Sequence, residues 1–482
     1  LAISSEDTTK IAVCDLDHTL IHSDMLFENL LALIKKNLLY VLLIPFWLLK
    51  GKAYMKNKIF SIGEVSVADL PYNHGVITYL KQLRENGYKL CLATASMQST
   101  ADRVMEHLDL FDEAYGSSPT QNLKADHKKR FLDSEFGEGG YIYIGDSDAD
   151  LKVWNGAAGA VVVGRNNAFI SKVRSLTKVL HTIPGNGKSY LKTLVKQIRV
   201  YQWVKNILMF LPVATAHVQY FPDYVQALWA FFSFSFIASS VYVTNDLLDL
   251  SSDRHHPRKR KRPLASGDMP LLHGLILSPS LLILGYILAI FVVAEPMFVL
   301  VLTIYYAITT AYSFILKRVA IMDIIVLAIL YTIRIIAGSA ATGIATSEWL
   351  LAFTMFIFIS LAVVKRYTEL LVMKKNSKNQ LKGRGYEVDD ISLLLGIGPA
   401  SGYLSVLVFA LYVNSPKVAT LYSNPILLWA IAPFMLYWIT RMWLLAHRGK
   451  MTDDPIVFTV KDKYSYIIGF FILCIALLAK VI

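Results

Sequence analysis

The chain has 482 residues, 55% of them hydrophobic and only 17% charged. Its mean hydropathy of +0.45 excludes an ordinary soluble protein and suits a multi-pass membrane protein of two or three domains. A formal net charge of +12 is better explained by membrane topology and anionic substrates than by nucleic acid. With only Cys14, Cys91 and Cys474, a disulfide framework is excluded. The segment Leu1–Lys10 is polar and has no apolar core of signal-peptide type, so insertion is expected to rely on later spans.

The first 180 or so residues carry ordinary charge density, and short β-branched runs alternate with helical patterns, as in a parallel α/β sheet. Strands are expected at Ile11–Cys14, Lys89–Ala93, Tyr141–Ile144 and Ala160–Val163, and helices at Val76–Asn86, Ser99–Leu108 and Lys128–Phe136. Met25–Lys50 holds two apolar pieces, Leu26–Ile34 and Leu38–Leu49, split by Lys35-Lys36-Asn37 and bent near Pro45. The plain reading is a pair of packed cap helices. The other is an interfacial element that lies on the bilayer and admits a lipid-linked substrate.

The domain is expected to cover residues 1–182, with a cap at about 21–75. A turn-rich linker at 183–192 contains Ile183-Pro-Gly-Asn-Gly-Lys-Ser189. A membrane domain is expected over 193–482. Nine spans are counted in it, at about 205–220, 224–248, 272–293, 297–316, 322–343, 349–371, 392–413, 425–446 and 464–481. The first is marginal.

Basic residues gather in alternate loops: Arg254 to Arg262; Lys317 and Arg318; Lys374, Lys375, Lys378, Lys382 and Arg384; and Arg448, Lys450, Lys461 and Lys463. The intervening loops hold one lysine, Lys417. The positive-inside bias therefore puts the N-terminus in the cytoplasm and the C-terminus outside, and the plasma membrane of a bacterium is the expected location.

Asp15-Leu-Asp17 follows the first strand, where α/β folds place their ligands. Two acids two positions apart can divide phosphoryl transfer, with Asp15 attacking phosphorus and Asp17 giving and then taking a proton. Thr94 can bind a phosphate oxygen, and Lys124 or Lys128 can neutralise the charge of the transition state. Asp146 and Asp150, in Gly145-Asp-Ser-Asp-Ala-Asp150, can complete a Mg²⁺ site with Asp15 and the carbonyl of Asp17. Four motifs in this order resemble the haloacid dehalogenase superfamily, over most of residues 10–180. The resemblance implies a Rossmann-like phosphatase with a helical cap, and favours Lys128 for the lysine because it opens the helix before the Asp146 strand.

Asn245-Asp-Leu-Leu-Asp-Leu-Ser-Ser-Asp253 ends an apolar helix. Asp246, Asp249 and Asp253 are spaced i, i+3, i+7 and share one helical face, and six Lys or Arg follow Asp253 within nine positions. Carboxylates at the mouth of a span are costly unless they hold something, and a divalent metal is the natural guest. Metal beside a basic cluster points to a pyrophosphate-bearing donor. His255 and His256 read as loop residues rather than ligands.

The acidic motif resembles the UbiA superfamily of intramembrane prenyltransferases over about residues 190–482, which implies an all-α fold of nine transmembrane helices and Mg²⁺ on the aspartates. Gln202-Trp-Val-Lys-Asn206, Asn245–Gly267, Tyr312-Ser-Phe-Ile-Leu-Lys317, Arg334, Lys365-Arg-Tyr367 and Asp453-Asp-Pro455 look like the polyprenyl-phosphate phosphoribosyltransferase branch. That branch implies 5-phosphoribosyl 1-pyrophosphate as donor and a polyprenyl phosphate as acceptor.

Mg²⁺ on Asp246, with Asp249 or Asp253, would draw electrons toward pyrophosphate, while Lys259, Arg262 and Lys317 stabilise its oxygens. Lys205 would anchor a phosphate, Arg334 another, and Asn206, Asn245, Tyr312, Lys365 and Arg366 would contact substrate. The expected enzyme is bifunctional: transfer first, removal of the 5-phosphate second, with one Mg²⁺ in each site and polyprenyl-phosphoryl ribose for cell-surface glycan synthesis as product. Aromatic prenylation from a polyprenyl diphosphate is the rival, but it requires a second carboxylate cluster where only Asp323 follows Lys317 and Arg318. A membrane scaffold for the phosphatase is the non-enzymatic reading of the second half. No nucleic acid partner is expected, and a homo-oligomer is left open.

Overall fold

The computed structural model describes residues 10–118, 122–185, 189–216, 220–375, 384–451 and 454–482. Lys378, Lys382, Asp453 and residues 186–188 of the expected linker lie outside them. The chain divides into two compact units that interleave in sequence: residues 1–198 with 243–277, and residues 199–242 with 278–482. The first unit therefore does not close at the linker. It takes in the segment that carries the acidic motif.

Six parallel strands make its sheet: β1 (Ile11–Cys14), β2 (Lys89–Met97), β3 (Glu113–Ser117), β4 (Tyr141–Gly145), β5 (Gly159–Val163) and β6 (Val179–Ile183), in the order β3-β2-β1-β4-β5-β6. Its longer helices are α1 (Met25–Lys36), α2 (Tyr40–Leu49), α3 (Lys52–Ile62), α4 (His74–Glu85), α5 (Gln98–Leu108) and α6 (Asp126–Phe136).

Alternate residues of the central strands feed two cores. Ala12, Cys14, Leu92 and Ile144 pack with Leu80 and Val104 on one face. Val13, Cys91, Ala93 and Tyr143 pack with Leu132 and Trp154 on the other. Burial on both faces is what makes these strands continuous apolar runs in the sequence. The two edge strands, β3 and β6, carry polar residues between apolar ones and were not foreseen.

The chain leaves the sheet at Ile21 and returns at Tyr72 through an antiparallel bridge, with His22 N donating to Pro71 O at 2.8 Å. This neck brackets the segment between Ile21 and Tyr72, where a cap is expected. Within it α1, capped by the Asp24 carboxylate, buries Met25, Glu28, Asn29, Leu31 and Leu33, whereas α2 buries no residue at all. Of the two apolar pieces, only the first is a packed cap helix.

Among the described residues, eight helices are long and apolar enough to cross a membrane: Phe221–Leu248, Leu271–Val293, Pro296–Phe314, Met322–Thr342, Glu348–Lys375, Val388–Val413, Pro425–His447 and Lys463–Val481. The ninth expected span, 205–220, is not among them. Its described part winds as a 3₁₀ helix over Val200–Phe210 and a short α-helix over Leu211–Thr215 that contains Pro212. The cause is local: Lys205 and Asn206 are buried in polar contacts, and the stretch runs hard against another helix. A Cβ on Gly338 would lie 2.0 Å from the carbonyl oxygen of Met209.

Candidate active sites

The first site grows from the carboxyl end of β1, the middle of the sheet. Asp15 N donates to Ile144 O at 3.0 Å, which ties the residue to β4. The next five residues make a tight turn closed by Ile21 N donating to Leu16 O at 3.0 Å, with His18 at φ +58°. The turn carries Asp17 back over the strand ends. There its Oδ1 accepts from Met25 N at 2.8 Å and its Oδ2 from Ser96 Oγ at 3.3 Å.

Lys128, in the first turn of α6, places Nζ 2.9 Å from Asp15 Oδ1 and 3.0 Å from Tyr143 OH, and is 3% exposed. Lys124 is exposed. Thr94 is buried in β2, where its Oγ1 accepts from Ser96 N at 3.0 Å. Asp146 follows β4 and accepts from Thr19 Oγ1 at 3.2 Å, with Arg165 Nη2 at 3.8 Å.

Asp150, expected as a metal ligand, is held by protein donors. Its Oδ2 accepts from Asp146 N at 3.1 Å and from Ser147 N and Oγ at 2.8 Å each, and its Oδ1 from Tyr143 OH at 2.9 Å. A carboxylate holding four protein donors fixes the turn that carries Asp146.

Crowded burial sets the electrostatics. Burial, with Asp24 and Asp15 nearby, pushes Asp17 up to about 8. Burial, then Asp150 and Asp15, pushes Asp146 up to about 7. Burial works against the charge on Lys128, yet Asp15 and Asp150 together hold it above the usual lysine range.

No three His, Cys, Asp or Glu side chains among the described residues are gathered as a ready cage. Two carboxylates and a backbone carbonyl still suit Mg²⁺, which keeps several waters. Burial, with Asp150 and Asp15 beside it, holds the Asp146 carboxyl up, and a cation bound there would lower it.

Sequence reasoning missed Ser96, Tyr143, Arg165 and Lys56. Lys56 comes from α3 of the cap and donates to the carbonyl of Ala95, beside Ser96. Burial lowers its pKa, against the pull of Asp17 and Asp24. In the run Lys52-Ala-Tyr-Met-Lys-Asn-Lys58 it looks like an ordinary surface lysine, and nothing in the sequence marks it.

The acidic motif lies in the same unit. The helix Phe221–Leu248 ends at Asp249, whose backbone (φ −97°, ψ 12°) separates it from the short helix Leu250–His255. Asp246 and Asp253 nonetheless converge, as one helical face requires. Arg262 Nη1 lies 2.9 Å from Asp246 Oδ1 and 2.5 Å from Asp253 Oδ2, and Gln197 Nε2 donates to Asp246 Oδ2 at 3.0 Å.

Both carboxylates are almost fully buried. Asp253 Oδ1 is buried without a hydrogen-bond donor, although Lys259 Nζ stands 3.7 Å away. Burial raises the Asp253 pKa against Arg262 and Lys259. Such oxygens fit a divalent cation. Asp249 and Asn245 sit half-buried at the break.

His255 bonds Ser251 O and faces Asp69 at 3.3 Å, and His256 accepts from the backbone N–H groups of Arg258 and Lys259, so both histidines serve the loop. Arg254 reaches the cap, where its Nη2 lies 2.6 Å from Glu28 Oε1.

The second unit holds its own buried cluster. Lys205 pairs with Asp454 and stands 5.5 Å over the Tyr331 ring. Arg334 donates from Nε to Asn206 Oδ1 at 2.8 Å and lies over the rings of Phe234, Tyr305 and Tyr331. Asn206 in turn donates to Ser235 Oγ at 2.8 Å. Lys365 is half-buried on the helix Glu348–Lys375. Lys317 lies in a 3₁₀ turn at Leu316–Arg318.

Tyr312 and Arg366, expected to contact substrate, are engaged with Asp323. Tyr312 donates to Asp323 Oδ1 at 2.7 Å, while Arg366 holds Asp323, Glu369 at 2.5 Å and the Tyr312 hydroxyl at 3.0 Å. Arg384 joins them, 3.2 Å from Asp323. Asp323, fully buried in this knot, is a structural anion that ties three helical segments together.

The UbiA prenyltransferase family matches residues 206–475, and the haloacid dehalogenase-like hydrolases match residues 49–162. The second match begins beyond Asp15 and Asp17. Protein y4nM of Sinorhizobium fredii (strain NBRC 101917 / NGR234) is 38% identical over 460 residues, which cover 95% of this chain and 88% of the relative. The decaprenyl-phosphate phosphoribosyltransferase of Mycobacterium tuberculosis is 40% identical over 184 residues, 37% of this chain and 60% of that enzyme. A UbiA homolog from Archaeoglobus fulgidus bound to GPP and Mg²⁺ aligns at 15% identity and a TM-score of 0.45, over 60% of this chain and 100% of the homolog.

Proposed function

Because this chain belongs to the UbiA prenyltransferase family and carries a haloacid dehalogenase-like hydrolase domain ahead of the transferase domain, we propose that it is a bifunctional membrane enzyme. It transfers 5-phosphoribosyl from phosphoribosyl pyrophosphate to a polyprenyl phosphate and then removes the 5-phosphate, leaving polyprenyl-phosphoryl ribose for glycan assembly. The observation that carries the pairing is that Asp15, Asp17 and Lys128 share one compact unit with Asp246, Asp253 and Arg262.

In the transfer step Lys259, Arg262 and Lys317 receive charge on the departing pyrophosphate, and Lys205, Lys365 and Arg334 hold phosphate groups. The acceptor phosphate is already a nucleophile and needs no strong base. In the hydrolytic step Asp15 attacks phosphorus while Asp17, protonated at neutral pH by its burial, protonates the departing ribose oxygen. Asp17 then takes a proton from the water that cleaves the aspartyl phosphate. Lys128 holds Asp15 in place and offsets the charge of the transferring group. Lys56 is a further phosphate contact from the cap. Mg²⁺, held by Asp15, Asp146 and the Asp17 carbonyl in one site and by Asp246 with Asp249 or Asp253 in the other, would supply Lewis-acid charge stabilisation.

Basic loops facing one compartment support a cytoplasmic hydrolase domain in a bacterial plasma membrane. That placement requires the stretch 200–216 to cross the bilayer. A 3₁₀ rise of about 2 Å per residue lets so short a stretch cover roughly 30 Å. Aromatic prenylation is disfavoured by the engagement of Asp323 with Arg366 and Arg384.

The test is purified protein given donor and lipid acceptor, with release of both pyrophosphate and inorganic phosphate expected. Asp15→Asn should stop at the phosphorylated sugar lipid. Unphosphorylated product from that variant would remove the hydrolase from the pathway.

A further inference from the structure

Helix α2 reads Tyr-Val-Leu-Leu-Ile-Pro-Phe-Trp-Leu-Leu and is apolar on every side, yet none of its ten residues is buried. Leu42 is 66% exposed, Phe46 63% and Leu49 85%. Helix α1, just before it, hides its apolar stripe in the cap. A surface helix in water keeps a polar face, and α2 has none. It is about 15 Å long, half a bilayer core, so it cannot span.

Charge says what covers it. Between Glu28 and Glu64 the chain has no acidic residue and six lysines, at 35, 36, 50, 52, 56 and 58. Lys35 and Lys36 close α1, and Lys50 and Lys52 flank the reversal at Gly51 (φ +110°), so α2 is bracketed at both ends by cations. An apolar tip on a basic base matches a leaflet with anionic headgroups.

Position agrees. Within the same unit, Lys35, Lys36 and Leu31 line a cavity of about 460 Å³ together with Leu247, Leu248 and Arg254. Leu247 and Leu248 end the span Phe221–Leu248. The base of the hairpin therefore lies at the level where a transmembrane helix leaves the bilayer. From its other side α3 sends Lys56 to the carbonyl of Ala95, beside Ser96 and its partner Asp17.

We propose that α2 is a membrane-inserted element of the hydrolase cap, sunk in the leaflet with its flanking lysines on lipid phosphates, so that the pocket takes phosphomonoesters borne on lipid at the bilayer surface. The lipid-borne substrate rests on the function proposed above; the insertion does not.

Full-length protein carrying Phe46→Cys, labelled with an environment-sensitive fluorophore, is reconstituted in phosphatidylcholine vesicles containing phosphatidylglycerol. The unsubstituted protein, whose Cys14 and Cys91 are buried, gives the background. Quenching by acyl-chain nitroxide lipids is the expected result. Water-like emission overturns the insertion, and so does blue-shifted emission that nitroxide lipids leave unquenched, which would mean that a second copy or another protein covers α2.

In the triple variant Leu42→Asn, Phe46→Asn, Leu49→Asn, hydrolysis of polyprenyl-phosphoryl-ribose 5-phosphate should fall by about tenfold or more, with p-nitrophenyl phosphate turnover kept within about twofold. Equal activity on the lipid substrate overturns the access role. A quenched probe in a protein with no action on any lipid-borne phosphate leaves the insertion standing and removes the proposed substrate instead.

Discussion

Lys128 Nζ lies 2.9 Å from Asp15 Oδ1, and the lysine is almost completely enclosed. A buried ammonium so close to a half-buried carboxylate is fixed in place before any phosphate arrives, which is the preorganisation that charge stabilisation requires. Lys128→Ala should lower phosphatase kcat by about 10²–10³-fold, the range for losing one preorganised donor. Lys124→Ala, at an exposed position, should leave steady-state kinetics within about twofold. A large loss in the second variant would reverse the assignment.

The raised carboxyls of Asp17 and Asp146 set the pH dependence. Between the ordinary carboxylate range and about 8, the folded protein holds a proton on Asp17 that the unfolded chain has lost. Folding stability therefore falls as pH rises through that window. Asp17→Asn in metal-free buffer should raise the unfolding temperature at about pH 8, by roughly 2–4 °C per kcal/mol relieved, and change little near pH 4. A pH-independent difference would show that Asp17 does not titrate there. Wild-type phosphatase turnover should decline above about pH 8 as the leaving group loses its acid.

Asp146 and Asp150 should separate cleanly. Asp150→Asn disturbs the acceptor of four protein donors and should cost about 1–3 kcal/mol of stability. Its Mg²⁺ activation midpoint should move by no more than about twofold, whereas that of Asp146→Asn should rise by about tenfold or more. Denaturant melts and a magnesium titration decide between them.

Glu28 and Arg254 form a buried pair 226 positions apart. Removing one partner leaves an uncompensated buried charge and should cost about 3–5 kcal/mol. Glu28→Leu with Arg254→Met should recover much of that loss. Thermal unfolding of the two single variants and the double variant closes the cycle. Strict additivity would mean that the contact carries no coupling.

Tyr312→Phe should leave the KM for phosphoribosyl pyrophosphate within about twofold while lowering thermal stability by about 1 kcal/mol, because its hydroxyl bonds Asp323 rather than a pocket. A tenfold rise in KM would return Tyr312 to the substrate site.

Much of this architecture is written in local pattern. The central strands are continuous apolar runs because both faces of the sheet are covered, and eight spans among the described residues announce themselves by length and hydropathy alone. What escaped is long-range or two-sided. Asp150 has the residue type and spacing of a metal ligand, and only the N–H groups around it reveal an anchor. Arg366 and Tyr312 sit in motifs that suggest substrate, and nothing local in those motifs shows that both bond Asp323 on the helix Met322–Thr342. The 3₁₀ stretch Val200–Phe210 is apolar enough to resemble a span, and its winding goes with the buried polar contacts of Lys205 and Asn206 and the close approach of Gly338 to Met209. For α2 the pattern left two readings, and its exposure is what supports the interfacial one proposed above.

The interleaving of the first unit has a consequence for how this polypeptide can be cut and how it can drift. A hydrolase fragment ended after β6 would keep Glu28 and lose its guanidinium. It would also shed Gly267, where a Cβ would lie 2.4 Å from Cβ of His22. The two catalytic halves are thus not exchangeable modules on a string: a change at position 254 has to be answered at position 28, and lineages carrying the fusion should vary the two together.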